Sequence, residues 1–138
     1  MAGVKNIFDV MGRSMGAQMV RLNTIASNLA NLESKAGTSD EAYKPVRPVF
    51  QTVFSSNYDN NGIAGVDALR VVPLDREATR IYEPGHPNSD EQGFVYKSAV
   101  NSDEEMVEMM EASRQYQNNI EVVTTVRALM MRTINMGK

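Results

Sequence analysis

The sequence predicts an α+β fold, mainly long terminal α-helices forming a coiled-coil-like bundle, with a small β-rich middle segment. Three observations point there. Phe8, Met11, Met15, Gln18, Leu22, Ile25, Leu29 and Leu32 are spaced alternately three and four apart. Met106, Met109, Ser113, Tyr116, Ile120, Val123, Arg127, Met130 and Ile134 repeat that rhythm near the other end, which is how helices pack along a long seam. Between the two lies a stretch of period-two alternation punctuated by Gly, Pro and Asn turns. A chain of 138 residues has room for one domain with a modest core. The division reads as an N-terminal helix over 1–33, loops and a β-rich insert over 34–100, and a C-terminal helix over 101–138. The whole forms one discontinuous helical domain.

The first helix is expected from Val4 to Asn31 or Leu32, a rod of about 40 Å. Gly12 and Gly16 lie inside it, each costing about 1 kcal/mol relative to Ala. They either fray the first turns or permit close contact with another helix. Ser34 to Asp40 reads as a loop, with Gly37 as its turn residue. Val49, Gln51 and Val53 alternate with Phe50, Thr52 and Phe54, a strand covered to some degree on both faces. Pro45 and Pro48 hold the preceding segment to an extended or edge position. Asn60-Asn61-Gly62 signals a turn, and Val66–Val72 reads as the returning strand. Thr79, Ile81 and residues 92–97 supply two more short strands. The insert is too small to bury much alone, so it leans on the helices or on a neighbour.

The second helix has a clear start. Ser102 followed three residues later by Glu105 matches a capping box, with Asn101 and Asp103 as alternative caps. Gly137 is a natural terminator. Asp103, Glu104 and Glu105 suit the positive end of the helix dipole and read as a solvated, acidic helix start rather than a ligand cluster.

Both helices are short of charge where a solvated helix would carry Glu and Lys. From Ser14 to Leu32 the only charge is Arg21, and from Ala112 to Val126 the only charges are Arg114 and Glu121. Amides and hydroxyls tolerate burial when hydrogen-bonded, whereas unpaired charges do not. The C-terminal helix also carries a second apolar stripe, Val122, Val126, Leu129, Thr133 and Met136. Methionines concentrated at both ends supply adaptable packing. Two arrangements satisfy this pattern: an antiparallel two-helix core within one chain, or a helical packing of several subunits. The packing residues are Leu22, Ile25 and Leu29 on the first helix, and Tyr116, Ile120, Val123, Met130 and Ile134 on the second.

Little here suggests chemistry. The net charge is −3 and basic residues interleave with acidic ones, which argues against nucleic acid as a partner. There is no cysteine, so no disulfide framework or thiol nucleophile. The single histidine, His86, sits in a turn without companion ligands. No cofactor, metal or catalytic residue is expected, and the chain reads as no enzyme. Nothing approaches eighteen consecutive apolar residues, so no membrane span is expected, and the N-terminus lacks the pattern of a cleaved signal peptide. The segment Tyr82, Glu83, Pro84, Gly85, His86 and Pro87 is stiff, because prolines fix φ and restrict the residue before them. It is either a connecting turn or a preshaped contact surface.

Phe8-Asp9, Arg21-Leu22-Asn23 and Ala26-Ser27-Asn28-Leu29-Ala30-Asn31 resemble the shared N-terminal signature of bacterial flagellar rod and hook proteins. Gly93-Phe94-Val95, Val100-Asn101, Glu105-Met106-Val107 and the run from Ser113 to Asn118 extend the likeness, together with the Tyr82–Pro87 turn. The chain departs from the signature after Asn31, where Leu32-Glu33-Ser34 stands in place of a Thr-like residue. The resemblance implies a structural subunit of the proximal rod of the flagellar basal body. Such subunits assemble helically into the drive shaft that transmits torque. It also implies partners: copies of the same chain, other rod proteins, and the flagellar export apparatus during type III secretion. The location implied is the periplasmic portion of the basal body. Asn23, Asn28 and Asn31 carry over as signature positions with subunit contact as their role. The alternative is a soluble helical adaptor or export chaperone that holds a client.

Overall fold

The structure is a computed structural model and describes residues 2–53 and 64–137. Phe54, Asp59 and the Asn60–Gly62 turn lie outside the described residues. The fold is mixed α+β. Helix α1 (Ala2–Ala30) is followed by strands β1 (Lys35–Ala36), β2 (Val46–Val53), β3 (Gly65–Pro73), β4 (Thr79–Tyr82) and β5 (Phe94–Lys97), and then by helix α2 (Ser102–Met136). The predicted elements are present with small shifts. Helix α1 closes one or two residues earlier than expected, where the Asn31 N–H reaches the Ser27 and Asn28 carbonyls at 3.1 and 3.2 Å. The loop expected over 34–40 contains β1, which is visible only through its pairing.

The strands form two small antiparallel sheets. β1, β5 and β4 lie side by side in that order, and β2 pairs with β3 as a hairpin. Pro48 sits within β2 opposite Val71. A strand that pairs on one side only can hold a proline, because its missing N–H then breaks no ladder. The register slips between Val49 and Phe50, whose partners are Arg70 and Ala68, leaving Leu69 as a bulge. The hairpin packs on α1, so the insert does lean on a helix. At Gly65 a Cβ would stand 2.8 Å from Arg13 Cδ, and Arg13 Nη1 reaches Asp67 Oδ2 at 2.6 Å.

The core is small and sits at the foot of the two helices. Ile25, Pro45, Val95 and Ala112 are enclosed, with Ala17, Ala42 and Val100 nearly so. At its centre are two polar side chains, Asn28 at 0% exposure and Glu105 at 1%. Asn28 Nδ2 donates to the Val46 carbonyl at 3.0 Å and to Glu105 Oε2 at 3.1 Å. Its Oδ1 accepts from the Val46 N–H at 2.8 Å and from the Tyr43 hydroxyl at 3.0 Å. A full complement of partners makes burial of an amide tolerable.

The start of α2 corrects the expected cap. Asn101, not Ser102, is the N-cap, its side chain accepting from the Asp103 and Glu104 N–H groups. Freed from the capping box, Glu105 points inward, with Arg47 Nη1 2.7 Å from its Oε1. Glu104 is held by both guanidinium nitrogens of Arg76 at 2.8 and 2.9 Å and by Arg47 at 3.3 Å. The acidic helix start is therefore not a solvated face: of its three carboxylates, Glu104 and Glu105 join α2 to the hairpin and to the segment after it.

Replacing Asn28 with Ala should lower folding stability by about 3 kcal/mol, since it strands several buried partners at once. Urea unfolding measures this, and a loss below about 1 kcal/mol would contradict the role assigned to Asn28. The hydrogen bond from Arg76 holds the Glu104 carboxyl below its usual range, and reciprocally raises Arg76. A depressed carboxylate adds stability that is present above its unfolded pKa of about 4.3 and is lost as pH falls through its lower folded value. Melting temperature should thus fall as the solution is acidified below about pH 4. Arg76→Gln should weaken that dependence, and an unchanged acid profile would count against the pairing.

Candidate assembly interface

The two helices run antiparallel and meet through a line of polar side chains. Asn119 Nδ2 donates to Ser14 Oγ at 2.9 Å, and Gln18 Nε2 to Gln115 Oε1 at 2.9 Å. Arg21 binds Glu108 Oε2 at 2.5 Å and approaches Glu111 at 3.6 Å, and Asn28 binds Glu105 at the foot. In the Ser14–Asn119, Gln18–Gln115 and Asn28–Glu105 rungs the two residue numbers sum to 133, so one register holds along the seam. The terminal helices pair within the chain, which satisfies the first of the two arrangements the sequence allowed.

This pairing turns much apolar surface outward. By helical geometry, Phe8, Met15, Leu22 and Leu29 lie about a quarter-turn around α1 from the polar rungs, and all are only half-buried. On α2 the inward line is Glu105, Ala112, Gln115, Asn119, Val123 and Val126, rotated from the expected stripe. Tyr116, Val123 and Met130 remain half-buried along it, whereas Ile120 and Ile134 are exposed at 42% and 50%. Met106, Val107 and Met110 form an exposed apolar ridge on the outer side of α2. Single monomers rarely leave contiguous apolar surface of this kind uncovered.

The expected contact residues therefore divide. Ile25 and Asn28 are enclosed within the chain. Asn31 Nδ2 is engaged locally, on the Ser27 carbonyl at 2.8 Å. Asn23 is exposed, and Leu22 and Leu29 partly so. Sequence reasoning missed the outer face of the hairpin. Strand pairing puts Pro48, Phe50, Val66, Ala68 and Val71 on one side, and Phe50, Val66 and Val71 are exposed there. The alternation was visible, but a strand apolar on both faces reads as covered on both.

The stiff turn is more heavily braced than a simple connection requires. Lys35 Nζ bridges both carboxylate oxygens of Glu83 at 2.7 and 2.8 Å, which holds that carboxyl below its usual range. Asp90 Oδ1 accepts from the N–H groups of Gln92 and Phe94. Gly93 has φ +82 and lies under Tyr82 and Pro84, where a Cβ would come within 3.0 Å of both. His86 Nδ1 accepts from the Asn88 N–H at 3.1 Å, so the one histidine is a turn residue. Tyr82, Pro84, Gly85 and Pro87 are exposed on the outside of this frame. Arg80 stacks 3.7 Å over the Phe94 ring, and Tyr82 meets that ring edge-on at 5.1 Å.

Among the described residues there is no group of three or more His, Cys, Asp or Glu able to hold a metal, and no helix is long and apolar enough to cross a membrane.

The chain is similar to known proteins over nearly all of its length. Residues 91–136 match the family described as flagellar basal body rod FlgEFG protein, C-terminal. The chain is 39% identical over 133 residues to the flagellar basal-body rod protein FlgC of Salmonella typhimurium, covering 96% of this chain and 97% of that one. It is 38% identical over the same span to FlgC of Escherichia coli O157:H7, with the same coverage. Over all 138 residues it is 33% identical to FlgC of Aquifex aeolicus, covering both chains completely.

A Cβ added at Gly12 or Gly16 would meet nothing within 4 Å. Neither glycine serves packing inside the chain. Gly12→Ala and Gly16→Ala should each stabilise the isolated protein by about 1 kcal/mol, because α1 gains propensity at no steric cost. Thermal unfolding of the purified chain checks this, and destabilisation by either change would refute it.

Proposed function

We propose, from the premise that this chain belongs to the family of flagellar basal-body rod proteins, that its outward apolar faces are the contacts that build it into the rod. The chain is a structural subunit of the basal-body rod. In the proposed arrangement, copies assemble helically in the proximal rod with other rod proteins, forming a shaft that transmits torque. Residues 1–33 and 101–138 act as one discontinuous helical domain, which joins neighbouring helices in a coiled-coil-like bundle. Residues 34–100 form the insert beside it. The same proposal places the subunit in the periplasmic portion of the basal body, delivered by the flagellar export apparatus without a cleaved signal peptide. No catalytic role is proposed.

One observation carries the reading. The helices join each other through polar groups and leave apolar residues facing out, the reverse of a helical hairpin built to stand alone. A helical shaft needs heterologous contacts, in which one face of a subunit meets a different face of the next. The exposed ridge of Met106, Val107 and Met110, the Ile120 and Ile134 flank, and the Leu22–Leu29 flank of α1 are distinct faces of that kind. Tyr116, Val123 and Met130 support the flanks from the seam. Asn23 on the back of α1, and Tyr82, Pro84 and Pro87 on the braced turn, are further proposed contacts.

Because Ile120 and Met110 are exposed in the subunit, Ile120→Asp and Met110→Asp should change the stability of the isolated chain by no more than about 0.5 kcal/mol. In cells each should abolish incorporation into purified basal bodies and with it motility, since assembly would bury an unpaired charge. Normal incorporation of both variants would refute these faces as contacts. Recovery of the unmodified chain only from the cytosol, bound to a dissociable client, would refute the rod placement and favour an adaptor.

A further inference from the structure

The apolar lines of the two helices repeat at intervals of seven. On α1 they are Phe8, Met15, Leu22 and Leu29; on α2 they are Met109, Tyr116, Val123 and Met130. Sliding one helix by seven residues lays apolar on apolar again, so these lines do not select a register. Ser14, Arg21 and Asn28 are also seven apart, but Glu105, Ala112 and Asn119 on α2 differ in kind, so the pairs across the seam do not repeat in this way. A seven-residue slip that brings later residues of α2 into line with α1 sets Ser14, Gln18 and Asn28 opposite Val126, Val122 and Ala112. Each polar group would then lose its partner while staying at the seam, which is costly. A single polar position within an apolar coiled coil is known to fix register and partner number at some cost in stability.

We infer that the Ser14–Asn119 and Gln18–Gln115 rungs are register determinants: they hold α1 and α2 in one alignment out of those the apolar lines allow. The foot of the pair is already tied by Asn28, Glu105 and Arg47. The upper rungs extend that choice to the parts of the helices farthest from the core, where Ala112 is the last fully enclosed residue of α2. The inference goes beyond the rod assignment and stands on the isolated chain.

The chain has no cysteine, so spin labels can be placed without background. Gly12→Cys and Glu121→Cys put two labels at exposed positions level with each other in this register. Pulsed electron resonance on the full chain should give one narrow distance. In the variant Ser14→Ala, Gln18→Leu, Gln115→Leu, Asn119→Leu, helix content should be kept. A second population should appear, offset by about 10 Å along the helix axes, the length of seven residues. Rebuilding one rung with a different polar pair, Gln18→Glu with Gln115→Lys, should restore the single distance. Retention of one narrow distance in the leucine variant would overturn the inference. Loss of helix content in that variant would also overturn it, by making the rungs supports of the fold rather than selectors of the register.

Discussion

The arrangement of this molecule depends on a buried meeting of an amide, a carboxylate and a guanidinium. Asn28 of α1 reaches Glu105 of α2 at 3.1 Å, and Arg47 of β2 holds the other oxygen of Glu105 at 2.7 Å. Three separate stretches of chain converge there, in a region with few enclosed apolar side chains. A charge buried at 1% exposure is costly unless it is paired, and the Arg47 guanidinium supplies that pairing, so the three groups must be present together. Geometry follows from that requirement. The clamp sets where α2 begins relative to the end of α1, and the hairpin that carries Arg47 is drawn against α1 on a neighbouring side.

Once the foot is fixed by polar contacts, the rest of the helix pair continues in the same manner. The seam uses hydroxyls, amides and Arg–Glu pairing beside a few enclosed or half-buried apolar residues such as Ile25 and Val123, leaving Met106, Val107, Met110 and Ile120 exposed. Flexible thioethers on exposed faces accommodate neighbours that are not identical, which suits a subunit of a rod in which different proteins adjoin. In the proposed assembly the same chain folds around its polar seam and presents its exposed apolar side chains to neighbours. The two demands fall on different residues rather than competing for the same ones.

Much of this was legible in the sequence. Heptads gave both helices, alternation gave four of the five strands, and scarce charge marked the helices as partnered. Two kinds of information were not legible. Heptad spacing identifies an apolar stripe without saying whether it faces the chain's own second helix or a neighbour, so Ile120 and Ile25 looked alike, although one is exposed and the other enclosed. The acidic run at the start of α2 reads as solvated because its partners, Arg47 and Arg76, lie more than twenty residues away in sequence and meet it only through the hairpin. The two-residue β1 has no local pattern at all; it exists because Lys35 and Ala36 pair with Lys97 and Tyr96.

The central claim is that polar groups join the helices within a subunit while apolar groups join subunits to one another. A reconstruction of the assembled rod at side-chain resolution tests it directly. The account predicts α1 and α2 of one chain paired with Gln18 facing Gln115, and Met106, Val107, Met110 and Ile120 covered by neighbouring chains. A rod in which those four residues face open solvent, or in which α1 pairs with another copy's α2, would contradict it.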